Sequence, residues 1–524
     1  MNHAMNPQLD ACQTRVDNVT GRGHSVTAVH KPMSVVDVLT LVRQARQDKT
    51  SLYPISTGFN WGYGSRSPVT EGCALVDLSG MNRILNADEI SLSNPVALLE
   101  PGVTQGQLYD FLQAKCPGLT FNVTGAARDT SIIGNALDRG VGYYGPRKDD
   151  LFGLEVVCGS GKLIKTGFRR LGDASALAYS HPFGLGPMLD GLFFQSNFGI
   201  VTSACFRLIP RRPREVAVSL ALRKVADLGA FIDELAHLKR EGLMTSVTHI
   251  ANQARSQSSM MFGMTRYLEE ICGFSPGEAM IEARKSIHLV APNEWTSLGA
   301  ITGNAGQVRA ALKEVRNRMR HLARVMVVTD GLLDAGFWVA NALRFLPLAR
   351  ANAAAIAAIR PLHSLALGVP TNVAIDNLLW KYGRADLDAQ QLDDSHCGLL
   401  FINPALPLNG KLVARLLDDL KDVAAKHDHT LYMTVNIETP TSLVAIINLL
   451  FDRRQMAEIE RAHRCAKALL DHIHSQGLEV YRARSDDMGN IVTRDPAYWQ
   501  TVRALKQEFD PDNIIAPGRY NLVS

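Results

Sequence analysis

The sequence predicts an α+β protein with more than one domain. Strand-like and helix-like patterns are mixed without a regular βαβ alternation, which argues against a doubly wound sheet. The character of those patterns changes across Ile209–Pro213, where two prolines and two arginines form a linker-like stretch. At 524 residues the chain also exceeds what one ordinary hydrophobic core holds.

Taken in order, Val35–Gln47 keeps Val36, Val38, Leu39, Leu41 and Val42 apolar with Arg and Gln outward, which predicts a helix. Gln107–Ala114 reads the same way. Ser51–Ile55, Ala74–Leu78, Val96–Glu100 and Leu154–Cys158 are short apolar runs closed by turn formers, and they predict strands. Beyond the linker, helical spacing recurs in Val225–Lys239, Val308–Ala323, Leu412–Lys426 and Met456–Gln476, with Ala351–Ala358 as a short alanine-rich helix. Gly398–Ile402 and Thr430–Val435 read as strands between them. No internal repeat is visible.

Composition narrows the function. Hydrophobic residues make up 46% and charged residues 20%, as in a globular domain. Fifty-five basic against 51 acidic side chains leave +4, which gives no reason to expect nucleic acid or an anionic membrane. A small-molecule substrate is expected instead. Leu443–Phe451 is too short to span a bilayer, and Phe345–Val369 contains Arg350 and Arg360, so it reads as a helix hairpin packed on protein. The N-terminus lacks a basic start followed by an apolar core. Eight cysteines, Cys12 among them, are scattered without close pairs, so neither a zinc site nor a disulfide framework is expected. The simplest location is the cytoplasm. His427/His429 and His472/His474 read as solvent-exposed pairs rather than ligands, because i, i+2 residues on a helix diverge. No HExxH, GxSxG or P-loop pattern occurs.

Four segments carry glycines beside small polar residues. In Pro54–Gly64, a strand running into Ser56, Thr57 and Gly58 can turn sharply, and its backbone N–H groups can surround a phosphate. In Ser131–Gly145, the glycines at 140, 142 and 145 match GxGxxG. Tyr143, Tyr144 and Pro146 are poor material for opening a helix, so the dinucleotide reading is rejected. The third segment is Phe194–Ser203 and the fourth Phe509–Tyr520, which contains Arg519.

In this order, the four segments resemble the signatures of the vanillyl-alcohol oxidase and p-cresol methylhydroxylase family of FAD enzymes. The likeness runs through Ser51–Pro210 and Gly477–Tyr520, and more loosely between. It implies a two-part FAD-binding domain of the p-cresol methylhydroxylase type, residues 1–213 and 478–524, with an α+β substrate cap at 214–477 inserted. It also implies pyrophosphate contacts at Ser56, Thr57, Gly58, Phe59 and Asn60, and flavin contacts at Ser131, Gly134, Asn135 and Gly142. Ile200 and Val201 would flank adenine and ribose, with Arg519 a further cofactor contact.

Tyr481-Arg482 matches the pair that binds a phenolate oxygen in the family. The reaction implied is hydride removal from a phenolic or conjugated substrate to flavin N5, with oxygen or an electron carrier as final acceptor. Asp129 or Tyr143 would handle the proton. The sequence departs from the pattern elsewhere. Gln105 stands where the relatives have a phenolate-binding tyrosine, and Ala126 where they have a catalytic aspartate. A further substrate-side residue aligns at Val435 or Asn436. Leu399 occupies the position of covalent flavin attachment, His396 is three residues away, and Phe59 fills a second attachment site used by more distant flavoproteins. FAD is therefore expected to be bound non-covalently. A homodimer or larger assembly is the family habit. The alternatives are a non-oxidative flavoenzyme, such as one catalysing isomerisation or dehydration, and a degenerate flavin-binding protein.

Overall fold

A computed structural model describes residues 14–182 and 184–523. The N-terminal stretch and Cys12 lie outside them. The first part of the chain builds two four-stranded sheets. One orders Thr14–Arg15, Ser25–His30, Cys73–Asp77 and Leu52–Ile55, and its last three strands run parallel. The other orders Leu163–Lys165, Leu151–Cys158, Gly199–Arg207 and Val96–Leu99, all antiparallel.

Helix α1, Val35–Asp48, starts where the Ser34 side chain accepts from the Asp37 N–H and ends at a left-handed Lys49. It buries Val38, Val42 and Ala45 on the first sheet, whereas Val36 faces solvent. Helix α2, Gln105–Lys115, is capped in the same manner by Thr104. The GxGxxG segment folds as a hairpin, Val141–Gly142 pairing with Gly145–Pro146, followed by a single 3-10 turn and not by a helix.

From Arg214 onward the strands join a different, eight-stranded antiparallel sheet. Its main path runs Ala323–Val328, Arg214–Leu222, Trp295–Gly303, Thr248–Asn252, Tyr432–Ile437, Ser442–Asp452 and Cys397–Ile402. Helices Leu228–Arg240, Ala305–Met319, Gly410–Ala425 and Met456–Ser475 cover one face and form a single core with it. Truncating a fully buried member such as Leu417 to alanine costs roughly 2–5 kcal/mol.

Strand residues alternate between faces. Leu400, Ile402, Met433, Val435, Ile447 and Leu449 enter that core, so their neighbours Leu399, Phe401, Thr434, Asn436, Ile446 and Asn448 point to the other face. That second face lines one cavity together with residues of the first part of the chain.

Some elements differ from the expected ones. The helix expected at Val308–Ala323 spans Ala305–Met319, because Ala323 already opens an edge strand. Val225–Asp227 is a 3-10 turn ahead of the helix Leu228–Arg240. The apolar stretch from Phe345 contains no hairpin of its own. It is mostly one helix, Pro347–Ala366, which packs on the preceding helix Asp330–Ala342 and on Met261–Glu270. Among the described residues, no helix is long and apolar enough to cross a membrane.

The C-terminal segment returns to the first part of the chain. Ile515 bridges in parallel to Leu52, and the Ala516 N–H donates to the Leu52 carbonyl at 2.7 Å. Val480 bridges to Pro404, and the Ser485 N–H donates to the Tyr63 carbonyl at 2.9 Å. These bonds set residues 481 and 482 between the eight-stranded sheet and the first glycine loop.

Candidate active site

Strand Leu52–Ile55 ends in the loop Ser56–Asn60, where Gly58 adopts φ +77°. The N–H groups of Ser56 through Asn60 donate to no backbone carbonyl among the described residues. Helix α3, Ile132–Leu137, abuts the loop: Ser131 caps it by accepting from the Gly134 N–H at 2.9 Å. A Cβ on Gly134 would lie 2.5 Å from Ser56 Oγ, so any larger residue would make the Ser56 side chain shift. The loop thus presents a set of unspent N–H donors on one side of a cavity of about 420 Å³.

Of the residues read as cofactor contacts, Ser56, Thr57, Gly58, Phe59, Asn60, Ser131, Gly134, Asn135, Ile200, Val201 and Arg519 line this cavity. Gly142 does not. It lies behind the wall, where a Cβ would strike Asn122 Oδ1 at 2.1 Å, and Asn122 in turn holds Gly145 and Asp150.

Tyr481 and Arg482 also line the cavity, but neither stands alone. Arg482 donates to Asp138 and to Asn60 Oδ1, with its guanidinium 4.1 Å over the Tyr63 ring. Arg519 donates to the other Asp138 oxygen at 2.7 Å and to the Tyr53 hydroxyl at 3.1 Å. Two guanidiniums therefore share one carboxylate, and one positive charge is left over on this wall.

The Tyr481 hydroxyl donates to Glu438 Oε1 at 3.2 Å. Burial pushes the Glu438 carboxyl up to about 7 and raises the Tyr481 phenol well above its ordinary value.

The second face of the eight-stranded sheet supplies the remaining polar groups. His249 Nδ1 bonds Asn436 Oδ1 at 2.8 Å, which makes Nδ1 the protonated nitrogen. Its Nε2 is buried without a partner, and desolvation holds the imidazole down at about 4, so it is neutral at pH 7. The Tyr143 ring packs on His249 with centroids 4.6 Å apart. Arg255, on the short helix Gln253–Ser258, lines the cavity close enough for its charge to act on both. Ala374, Ile375, Leu378, Leu399 and Ile446 make the apolar wall.

Asp129 lies outside the cavity lining and shows no hydrogen bond among the described residues. Ala126 lines the cavity. Gln105 is fully buried and structural: its Nε2 donates to the carbonyls of Ala126 at 3.0 Å and Ala127 at 2.8 Å, and Oε1 accepts from the Thr124 N–H. Of the two substrate-side alternatives, Asn436 faces the cavity and Val435 the core. Leu399 is in the lining and His396 is not, while Phe59 stacks on Trp61 at 4.9 Å. The histidine pairs are not simply solvated. His474 bonds Glu479 at 2.8 Å, and His472 lies 3.6 Å from Asp419. Among the described residues, no cluster of metal-ligating side chains occurs.

Sequence reading did not find Asp138, Arg139, His249, Arg255 or Glu438. Asp138 and Arg139 sit inside the second glycine segment, and that position was the available signal. His249, Arg255 and Glu438 carry no local pattern.

A sequence model of an FAD binding domain matches residues 26–167. The chain is 32% identical over 505 residues to the 1'-carboxy-chondrochloren decarboxylase of Chondromyces crocatus, covering 95% of this chain and 91% of that protein. It is 27% identical to the flavoprotein subunit of the hydroxylating 4-cresol dehydrogenase of Pseudomonas putida, covering 96% and 89%. The structure of p-cresol methylhydroxylase with substrate bound matches with a TM-score of 0.80 at 26% identity, covering 96% of this chain and 91% of that one. The 4-ethylphenol oxidase of Gulosibacter chungangensis, in its isoeugenol complex, matches in fold with a TM-score of 0.79 at 22% identity, covering 97% and 91%.

Proposed function

Because the chain belongs to the vanillyl-alcohol oxidase and p-cresol methylhydroxylase family of FAD-binding oxidoreductases, we propose that it binds FAD non-covalently and oxidises a phenolic substrate. The observation that carries this reading is a single cavity lined by all four glycine-bearing segments together with Tyr481 and Arg482. The residues fit the cofactor. Unspent N–H donors at Ser56–Asn60 suit a pyrophosphate. Leu399 and Phe59 offer no atom for a covalent link.

When bound, FAD supplies a two-electron acceptor for hydride. The protein's own contribution is to hold the substrate as phenolate, which pushes electron density toward the carbon that loses hydride. Arg482 suits that task because it stays charged, and the surplus positive charge beside Asp138 favours an anion there. Glu438 accepts the phenol proton through the Tyr481 hydroxyl: the substrate proton passes to the Tyr481 oxygen as the Tyr481 proton passes to Glu438. Tyr143 stays protonated, since burial raises its phenol, and serves as a donor rather than a base.

A second reading, oxidation coupled to loss of a carboxyl group, is favoured by the name of the Chondromyces relative and by the unpaired cap guanidinium of Arg255. Hydride would leave the benzylic carbon, and the electrons of the adjacent carbon–carboxylate bond would form a double bond as CO₂ departs.

The test is a visible spectrum of the purified protein, acid precipitation, and anaerobic mixing with 4-ethylphenol. Yellow colour released to the supernatant and bleached by the phenol supports the reading. Colour held in the pellet overturns non-covalent attachment, and failure to bleach overturns the phenol oxidation. Trapped CO₂ from 3-(4-hydroxyphenyl)propanoate distinguishes the second reading.

A further inference from the structure

The cap wall of the cavity holds a cation that nothing opposes. Among the described residues, the Arg255 guanidinium makes no ion pair and no hydrogen bond, although it is drawn in beside Tyr143 and His249. Arg482 and Arg519, by contrast, share Asp138. Arg139 also lacks a carboxylate, but it follows Asp138 in the chain, and its charge acts on Tyr481. A guanidinium removed from water without an anion is costly, and desolvation lowers the pKa of Arg255 accordingly. Such a group is poised for an anion that arrives with a ligand.

Its surroundings specify which anion. The Tyr143 hydroxyl has no hydrogen-bond partner among the described residues and opens onto the same cavity. His249 is held with Nδ1 committed to Asn436, and it is neutral, so it adds no second charge. A forked guanidinium and one hydroxyl donor match the two oxygens of a planar carboxylate better than the single oxygen of a phenolate. The charges that act most on the two ends differ: Tyr481 responds to Glu438, Arg482 and Arg139, Tyr143 to Arg255, and His249 to Arg255 and Lys239. The apolar wall of Ala374, Ile375, Leu378 and Ile446 is available for the body of a ligand.

We propose that Arg255 and Tyr143 form a carboxylate-binding subsite, so that the substrate carries a carboxylate in addition to its oxidisable ring. The proposal rests on the flavoenzyme reading for the position of the ring, but its test does not require turnover.

The experiment measures binding to the FAD-loaded protein by calorimetry and by perturbation of the flavin absorption band. Two probes are used: 3-phenylpropanoate, which has a carboxylate and no phenol, and 4-ethylphenol, which has a phenol and no carboxylate. The wild-type protein is expected to bind 3-phenylpropanoate. Arg255→Gln should weaken that binding about 30- to 100-fold, with Arg255→Lys recovering part and Tyr143→Phe costing about three- to tenfold. Binding of 4-ethylphenol should stay within about threefold in Arg255→Gln. Retained flavin colour and an unchanged circular dichroism spectrum show that the variant has folded.

The proposal is overturned if 3-phenylpropanoate does not bind the wild-type protein or binds Arg255→Gln equally well. It is overturned too if Arg255→Gln loses 4-ethylphenol as severely as the carboxylate probe, which would make Arg255 the phenolate partner. If 3-phenylpropanoate binds in an Arg255-dependent way while 4-ethylphenol does not bind at all, the subsite stands and the phenol reading fails.

Discussion

Arg482 and Asp138 meet as an ion pair with little exposure to solvent, one from the C-terminal segment and the other from the second glycine-bearing segment. Since Arg519 takes the other oxygen of the same carboxylate, Asp138 ties the tail of the chain to the cavity wall.

Asp138→Asn should therefore destabilise the FAD-free protein by about 3–5 kcal/mol, because it leaves two desolvated guanidiniums facing each other. FAD carries phosphates and should recover part of the loss. Thermal unfolding with and without FAD should show a larger FAD-induced rise in Tm for the variant than for the wild type. An equal rise would mean that neither arginine responds to the cofactor's charge.

Arg482→Lys should keep its positive charge yet lose the two-partner geometry that joins Asp138 and Asn60. The rate of flavin bleaching by 4-ethylphenol under anaerobic rapid mixing should fall by about a hundredfold, with FAD still bound. An unchanged rate would remove Arg482 from the chemistry.

Glu438 gives opposite signs for activity and for stability. The carboxyl must be ionised to accept a proton through Tyr481, so bleaching should accelerate as pH rises through about 7. Its folded pKa is raised above the ordinary 4.5, so its contribution to stability is full below about 4.5 and is lost as pH rises through about 7. That loss is on the order of 3 kcal/mol. Glu438→Gln should remove both inflections, which pH–rate and pH–Tm profiles would reveal.

Gln105 and Asp129 make a matched contrast. Gln105→Leu strips the carbonyls of Thr124, Ala126 and Ala127 of their donor and should cost about 2–4 kcal/mol in denaturant unfolding. Asp129→Asn lies outside the cavity and should alter the bleaching rate by less than about threefold. A larger effect of Asp129→Asn would restore it as a candidate for the proton.

Much of the scaffold was legible because its causes are local. The helix at Val35 is written in apolar spacing and in a capping serine, and the glycine loops are written in residues that alone tolerate the turn or the contact. Gly58 could be named from sequence for that reason, and Gly134 through the family resemblance. Gly142 could be named as well, yet its glycine is required by Asn122 behind the wall and not by the cavity, and local sequence does not distinguish those causes.

The sequence by itself determined the mixed α+β class and the four glycine-bearing segments, since each depends on neighbours in the chain, and the family resemblance picked out the Tyr481-Arg482 pair. Only the tertiary structure decided the partners. Strand alternation turned Asn436 and Leu399 toward the cavity and Val435 into the core, a choice that a one-residue shift would reverse. The pairing of Asp138 with Arg482 and Arg519, the coupling of Glu438 to Tyr481, and the unopposed charge of Arg255 arise between segments far apart in sequence. A charge's role is fixed by what lies within a few ångströms of it in a desolvated space, and the chain folds before that environment exists.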